Sequence, residues 1–310
     1  MKMKGRVTGL HISQEKGTVK LPVATAEFTA IGIVGDAHAG RWHRQVSLLD
    51  AAAAKRFTEA SNIAVAPGEF AENLLLEGID LARVAPLDRL VIGPVELEIT
   101  QIGKECHGAG CTVFQRVGTC LMPKEGLFAR VITPGVVTVG DPAELIARPL
   151  SVHVVTLSDR AAAGEYEDRS GPLIAEMVAN HFAGTRWHLS VDRTVIPDEP
   201  EMLEKVLEQD RDGLTDIVIT TGGTGIGPRD ITPEVILELA DIEIPGIMEY
   251  IRVKYGADKP SALLSRSIAV VMGDTLVFAL PGSVRAVEEY LTEILKVLEH
   301  SVLMRHGLGH

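Results

Sequence analysis

The stretch TTGGTGIGPRDITPE at residues 220–234 gathers residue types suited to holding a phosphate. Gly222, Gly223, Gly225 and Gly227 let the backbone turn tightly and aim successive N–H groups at one point. Thr224 adds a hydroxyl. Thr232 reads as a helix N-cap with Pro233 at the first helical position, so the positive end of a helix would face the same anion. The carboxylate of Asp230 beside a phosphate makes chemical sense if a divalent cation lies between them. Two nucleotide-binding motifs are half matched and neither is completed. Gly222 and Gly227 have Walker A spacing, but Pro228 and Arg229 stand where that motif needs Lys and Ser or Thr. Asp230 stands where the dinucleotide fingerprint needs Gly or Ala. The plain alternative is a strand–turn–helix connection with glycines for geometry.

Other residues of chemical use fall at similar punctuation points. Ser158 and Asp159 follow the strand-like VHVVTL, Asp198 follows the strand RWHLSVDRTVI, and Pro281, Gly282 and Ser283 follow LVFAL. In a parallel sheet such tips share one edge, where α/β proteins bind ligands. For Asp198 a turn role, and for Asp159 a helix cap, are the bland readings. The three cysteines, Cys106, Cys111 and Cys120, lie close together in the first half. An odd number in a chain without an apolar leader argues against structural disulfides. Such a cluster binds metal, carries sulfur or is simply buried.

Two different rhythms must position these groups. Residues 1–145 alternate short β-rich stretches with glycine turns, with one amphipathic helix expected in SLLDAAAAKRFTEAS; this is the pattern of a β-barrel or sandwich. From Val152 onward strands alternate with helices, which predicts an α/β layered domain with a mainly parallel sheet. ARPLS at 147–151 interrupts both patterns, so the expected domains are 1–147 and 151–305. The HGLGH tail, with His306 and His310, reads as frayed. His38 and His43 beside Asp36 read as turn and surface histidines.

The chain has 310 residues and a net charge of −12. Residues 1–149 carry 16 basic and 16 acidic side chains, so the whole negative charge belongs to the second half. That half would repel nucleic acid and anionic membranes. No apolar run reaches the roughly 18 residues of a membrane span. The expectation is a soluble, cytoplasmic protein that binds neither nucleic acid nor membrane.

SDR…G.Y.D.SGP, IPDE, TTGGTG..PRDITPE, IPG..E.IR, LLSRS and LPGS occur here in the order found in the molybdopterin adenylyltransferases, and residues 151–300 resemble that MogA and MoaB group. The resemblance implies a molybdopterin-binding fold and a reaction of ATP with molybdopterin that yields adenylyl-molybdopterin and pyrophosphate. It places the essential acidic positions on Asp198 and Asp230, which would hold Mg²⁺. Gly222, Gly223, Thr224 and Gly225 would contact phosphate, while Ser158, Asp159, Thr232 and Pro281, Gly282 and Ser283 would frame nucleotide and pterin. It also implies a trimer built through the second half and a transient contact with a molybdenum insertase. Val284 departs from the family, which often has proline after the LPG-x turn.

GKECHGAGCTVFQRVGTCLMPKEGLFARVITPGVVTVGD, GIVGDAHAG and GEFAENLLLEG make residues 3–145 similar to the small bacterial MOSC proteins, relatives of the C-terminal domain of molybdenum cofactor sulfurases. That resemblance implies a β-rich barrel that handles sulfur or binds the finished cofactor through a cysteine. Cys111 occupies that position, with Cys106 and Cys120 as helpers. A persulfide on Cys111, ligation of molybdenum, and a zinc site with His107 are the chemical options. The whole reads as a bifunctional protein of molybdenum cofactor biosynthesis. The rivals are a non-catalytic pterin carrier, and a first half that works as a cofactor-bearing reductase.

Overall fold

The computed structural model describes residues 1–61, 63–104, 114 and 120–309. The chain forms two compact units, Met1–Arg148 with Arg186–His188, and Pro149–Thr185 with Leu189–His310. Among the described residues no helix is long and apolar enough to cross a membrane.

The first unit is a closed barrel, one of the two forms its turn-rich β pattern allowed and the one its resemblance implied. Strands β1 (Lys2–Ile12), β5 (Val46–Asp50), β6 (Leu74–Glu77), β7 (Arg89–Ile92), β8 (Val95–Ile102), β9 (Leu127–Thr133) and β11 (Pro142–Ile146) form a ring in the order β11-β7-β8-β9-β5-β6-β1. Antiparallel pairing of Lys2–Arg6 with Pro142–Ile146 closes it. The ring is antiparallel except between β5 and β6. Alternation sets the inside: in β7 Leu90 and Ile92 are buried while Arg89 and Val91 are only half-buried. The interior is filled by aliphatic side chains such as Val7, Val46, Leu48, Leu74, Leu76, Leu97 and Ile99. Short strands β2 (Leu21–Pro22), β3 (Thr25–Thr29), β4 (Gly32–Ile33) and β10 (Gly135–Thr138) complete the unit, the last three as a separate small sheet.

The helix expected over SLLDAAAAKRFTEAS is shorter than its pattern. Helix α1 spans Ala51–Ser61, and the preceding Ser47–Asp50 belongs to β5, hydrogen-bonded between β6 and β9. A central strand slot in the ring overrode local helix preference there.

The second unit holds a mixed six-stranded sheet. Its strands are β12 (Leu150–Leu157), β13 (Leu189–Ile196), β14 (Ile217–Thr221), β15 (Ile242–Glu243), β16 (Ala269–Met272) and β17 (Thr275–Leu280), in the order β13-β12-β14-β17-β16-β15. The four neighbouring strands from β13 to β17 are parallel, and β16 runs antiparallel to both its partners. Every residue of β14 and β17 is buried, which is why IVITT and TLVFAL read as continuous rather than alternating runs.

Helices α2 (Asp159–Ala162), α3 (Ser170–Phe182), α4 (Pro200–Asp212), α5 (Thr232–Leu239), α6 (Pro245–Gly256) and α7 (Val284–Arg305) connect or cover the strands. In α7, Val287, Leu291, Ile294, Leu298 and Val302 recur at helical spacing and are all buried. Removing one of them, for example by Leu291→Ala, would cost about 2–5 kcal/mol. The tail is not frayed as far as Gly309, and His310 lies outside the described residues. Arg305 donates to the Gly273 carbonyl, His306 lies 3.5 Å from the Asp216 carboxylate, and Leu308 is buried.

Candidate functional site

The glycine loop leaves β14 and is pinned from three sides. The Gly222 amide donates to the Leu280 carbonyl at the end of β17. Gly222 has φ +109° and an added Cβ would stand 2.3 Å from the Leu157 carbonyl oxygen, so only glycine fits between β12 and the loop. Gly223, at φ +63°, would bring a Cβ to 2.4 Å from Thr232 Oγ1.

Thr232 is not the N-cap that its sequence position predicted. It is the first residue of α5, fully buried, and its hydroxyl donates to the Gly222 carbonyl at 2.9 Å while its amide donates to the Gly223 carbonyl at 3.1 Å. It ties the loop back onto the helix, with Ile231 in the cap position.

Asp230 closes the far end of the loop. Its Oδ2 accepts from the Gly227 amide at 2.7 Å, and its own amide donates to the Gly227 carbonyl. Arg266 holds the loop from behind: Nε donates to the Gly225 carbonyl and Nη2 to the Asp230 carbonyl, each at 2.6 Å, while Nη1 bonds Glu234. The Gly222 and Gly223 carbonyls accept from Thr232 and the Thr224 carbonyl accepts from the Arg266 amide; the amides across those peptide units, of Gly223, Thr224 and Gly225, have no hydrogen-bond partner among the described residues. Gly223, Thr224 and Gly225 line a cavity of about 560 Å³, together with Asp230, Lys259, Pro281, Gly282, Ser283, Glu289 and Tyr290.

A second cavity, of about 360 Å³, adjoins it. Gly282 and Ser283 line both, and the second is further walled by Ser158, Arg160, Tyr166, Asp168 and Arg169. Ser158 and Ser283 each cap a helix, accepting from the amides of Ala161 and Ala286 at 3.3 Å. Asp168 fixes the start of α3, accepting from the Thr156 hydroxyl and from the Gly171 amide.

Asp159 and Asp198 meet at the strand tips. The Asp159 amide donates to Asp198 Oδ2 at 3.1 Å, and the Asp198 amide donates to Asp159 Oδ1 at 3.0 Å. Arg229 then donates to Asp159 Oδ2 at 2.5 Å, which links this pair to the residue before Asp230. The Arg229 hydrogen bond holds the Asp159 carboxyl below the usual carboxylate range, and Asp159 in turn raises the guanidinium. Ser158, Asp159, Asp198, the glycine loop and the LPGS turn thus share the edge expected from the sequence. Asp198 lines neither cavity among the described residues.

The barrel unit carries a separate buried polar cluster. Lys20, 1% exposed, pairs with Asp36 and lies 3.3 Å from His38 Nδ1. Asn73 Nδ2 donates to Asp36 Oδ2 at 2.9 Å and to the His11 carbonyl. Burial opposes ionisation of Asp36, but hydrogen bonds from His38 and Lys20 outweigh it and hold the carboxyl below its usual range. Beside them, Glu72 accepts from the Gly68 amide at 2.6 Å, and burial pushes its carboxyl up to about 7. His11 is lowered by burial and by the Lys20 charge.

This cluster corrects the reading of the histidines. His43 is buried and His38 is 3.3 Å from Asp36, so neither is a bland surface residue. Cys106, Cys111 and His107 lie outside the described residues. Cys120 is half-buried against the apolar group of Leu49, Phe70, Leu75, Leu121, Met122 and Phe128. Among the described residues no three His, Cys, Asp or Glu side chains come together as a metal cage.

The chain thus joins a β-barrel unit with a buried ion-pair cluster to an α/β unit whose glycine loop lines a cavity. Comparison with known proteins sharpens that description. Residues 153–300 match the family described as "Probable molybdopterin binding domain", and residues 35–144 match "MOSC domain". The molybdopterin adenylyltransferase of Haemophilus influenzae is 37% identical over 158 residues, covering 50% of this chain and 78% of that protein. The molybdenum cofactor biosynthesis bifunctional protein of Synechococcus elongatus is 36% identical over 188 residues, 60% of this chain and 56% of its own length. Two longer relatives are covered over only 24% and 22% of their lengths. The solved structure of the molybdopterin biosynthesis enzyme MoaB from Thermus thermophilus is 37% identical, covers 51% of this chain and 97% of that chain, and gives a TM-score of 0.45. The chain belongs to the MogA and MoaB family of molybdopterin-binding proteins through its second unit, with a MOSC domain ahead of it.

Two kinds of residue escaped the sequence reading. Arg266 was visible only as part of the LLSRS motif, Glu72 only as part of GEFAENLLLEG, and Lys20 had no local signal at all. Asp36 and Asn73 stood inside quoted motifs without an assigned contact.

Proposed function

We propose that the second unit transfers AMP from ATP to molybdopterin, giving adenylyl-molybdopterin and pyrophosphate. The observation that carries this reading is the run of three amides without a partner among the described residues, Gly223 to Gly225, in a loop that lines a cavity with Asp230 and Lys259. Relatives named molybdopterin adenylyltransferase support it. In the reaction an oxygen of the pterin's phosphate bonds to the α-phosphorus of ATP. The bond from that phosphorus to the bridging oxygen breaks, and pyrophosphate leaves with the electron pair. Preorganised amides and Lys259 stabilise the charge that develops without having to reorganise.

Magnesium is proposed to be held by Asp198 and Asp230. Asp198 and Asp230 each commit Oδ2 to a backbone amide, which leaves a hard carboxylate oxygen for a cation. Mg²⁺ takes one or two carboxylates and completes its shell with water and substrate phosphate, so it needs no protein cage. Bound there it would offset the repulsion between two anionic substrates.

The barrel unit is proposed to bind the pterin or the finished cofactor, or to carry sulfur on Cys111. The working protein is proposed to be cytoplasmic, a trimer through the second unit, and a transient partner of a molybdenum insertase.

The test is an assay with molybdopterin, ATP and Mg²⁺ that follows pyrophosphate release and AMP-linked pterin by mass. Product that disappears with EDTA and with Asp230→Asn supports the transferase. Tight pterin binding without product would make the protein a carrier instead.

A further inference from the structure

Arg229 stands between Pro228 and Asp230 in the exposed part of the glycine loop, and its guanidinium crosses to the strand tips. There it donates to Asp159 Oδ2, while Asp159 Oδ1 accepts from the Asp198 amide. One cation thereby ties the loop that carries Asp230 to the pair that carries Asp198. Its charge is favoured first by the Asp159 bond, and further by Asp198 and Glu199. Arg229 is the counter-charge of an acidic edge.

The tie is built to be exchanged. The Arg229 side chain is 64% exposed and that of Asp159 is 50% exposed, and an ion pair so open to water adds little to stability. Ile226, Gly227 and Pro228 are exposed as well, so the guanidinium can turn away without unpacking its neighbours. The Asp159 bond uses Nη2 and leaves the rest of the fork free among the described residues.

A divalent cation and a guanidinium compete for the same carboxylates. With Arg229 on Asp159, a bare metal ion approaching Asp198 and Asp230 meets a fixed positive charge that repels it. A nucleotide shifts that balance, because it brings phosphate oxygens along with the metal. The metal completes its shell on phosphate, and the guanidinium finds a partner that takes its fork by two bonds where Asp159 takes one.

We infer that Arg229 keeps bare metal off Asp198 and Asp230, and moves from Asp159 onto the polyphosphate when metal and nucleotide enter together. The inference rests on the reading that these two carboxylates hold the metal; the exchange itself rests on the exposed Arg229–Asp159 pair. It orders binding, since metal alone is held off while the metal–nucleotide complex is drawn in.

The experiment titrates the metal-free full chain with Mn²⁺, following free Mn²⁺ by electron paramagnetic resonance, first alone and then with α,β-methylene-ATP. In Arg229→Gln, bare Mn²⁺ should bind roughly three- to tenfold more tightly than in the wild type, and the Mn²⁺–analogue complex roughly tenfold more weakly. Arg229→Lys keeps the charge without the fork. It should exclude bare Mn²⁺ as the wild type does and recover little of the analogue affinity. Both variants should melt within about 2 °C of the wild type.

A merely structural ion pair would move both affinities in one direction or neither. Affinities in Arg229→Gln that fall together or stay unchanged therefore overturn the inference, and so does a clearly lower melting temperature. If Asp230→Asn abolishes Mn²⁺ uptake while Arg229→Gln leaves it unaltered, the metal reading stands and this one fails. Uptake undiminished in Asp198→Asn and Asp230→Asn, or absent from every protein, removes the metal from these carboxylates and both readings fall.

Discussion

Asp159 and Asp198 exchange hydrogen bonds in both directions, each carboxylate accepting from the other's backbone amide at 3.0–3.1 Å. The exchange locks the tip of β12 to the tip of β13 and leaves one Asp198 oxygen without a hydrogen bond among the described residues. Charge and geometry can therefore be separated. Asp198→Asn keeps an oxygen acceptor for the Asp159 amide and removes the charge. We expect a melting temperature close to wild type and a loss of adenylylation on the order of 100-fold or more, with a raised Mg²⁺ requirement. Full activity with an unchanged Mg²⁺ titration would remove Asp198 from the site.

The Arg266 guanidinium anchors the loop by the carbonyls of Gly225 and Asp230, and its backbone amide holds the Thr224 carbonyl that lies across the peptide unit from the Gly225 amide. Arg266→Ala should lower kcat on the order of 100-fold, because a cradle displaced by about 1 Å loses its alignment. Arg266→Lys should rescue little, since an ammonium on a single flexible stem cannot reproduce a fork that meets three acceptors. Steady-state kinetics on both variants checks this; recovery by lysine would show that only positive charge matters.

Gly222→Ala asks for a left-handed conformation and places a methyl against the Leu157 carbonyl. The expected cost is on the order of 2–4 kcal/mol, seen as a lower denaturant midpoint for the second unit. Gly246→Ala is the control. That residue has open space around its Cβ position and should change stability by less than about 1 kcal/mol.

Glu72 gives the barrel a pH dependence whose sign follows from its carboxyl being raised from 4.5 to about 7 in the folded state. The folded state holds the proton more tightly than the unfolded chain. Its contribution is therefore complete below about pH 4.5 and is lost as pH rises through about 7. The loss is on the order of 3 kcal/mol. Calorimetry between about pH 5 and pH 8 should show the barrel weakening with rising pH, and Glu72→Gln should flatten that slope. A slope that survives in Glu72→Gln would assign it to another group.

The parts of the fold that sequence disclosed are those with local signals. Glycine turns and alternating strands marked the barrel, and the unbroken apolar runs of β14 and β17 marked a covered parallel sheet. The strand-tip residues were legible because each follows its own strand directly. Arg266 was not, because it reaches back 36 residues to Asp230, and nothing in its neighbours Ser265 and Ser267 announces such a reach. The burial of Lys20, and of Glu72 within its quoted motif, was hidden for a different reason. In sequence they are charged residues near turns, which usually means solvent, and only the folding of β1 and the Gly68 turn around them makes them interior. Thr232 was misplaced by one residue in role: its hydroxyl serves the Gly222 carbonyl rather than a helix amide.

The seam of the barrel bears on how the first unit assembles. Lys2 pairs with Ile146 and Arg6 with Pro142, so the last ladder joins segments separated by almost the full length of the unit. Every other contact in the ring can form before that ladder, but the ring has free edges until it does. On a ribosome, β1 must wait unpaired on that side until β11 has emerged. Long-range closure of this kind is slow, because the chain must lose loop entropy before the contact repays it. The rate at which the barrel becomes resistant to protease is thus set by the seam and not by the packing of its aliphatic interior.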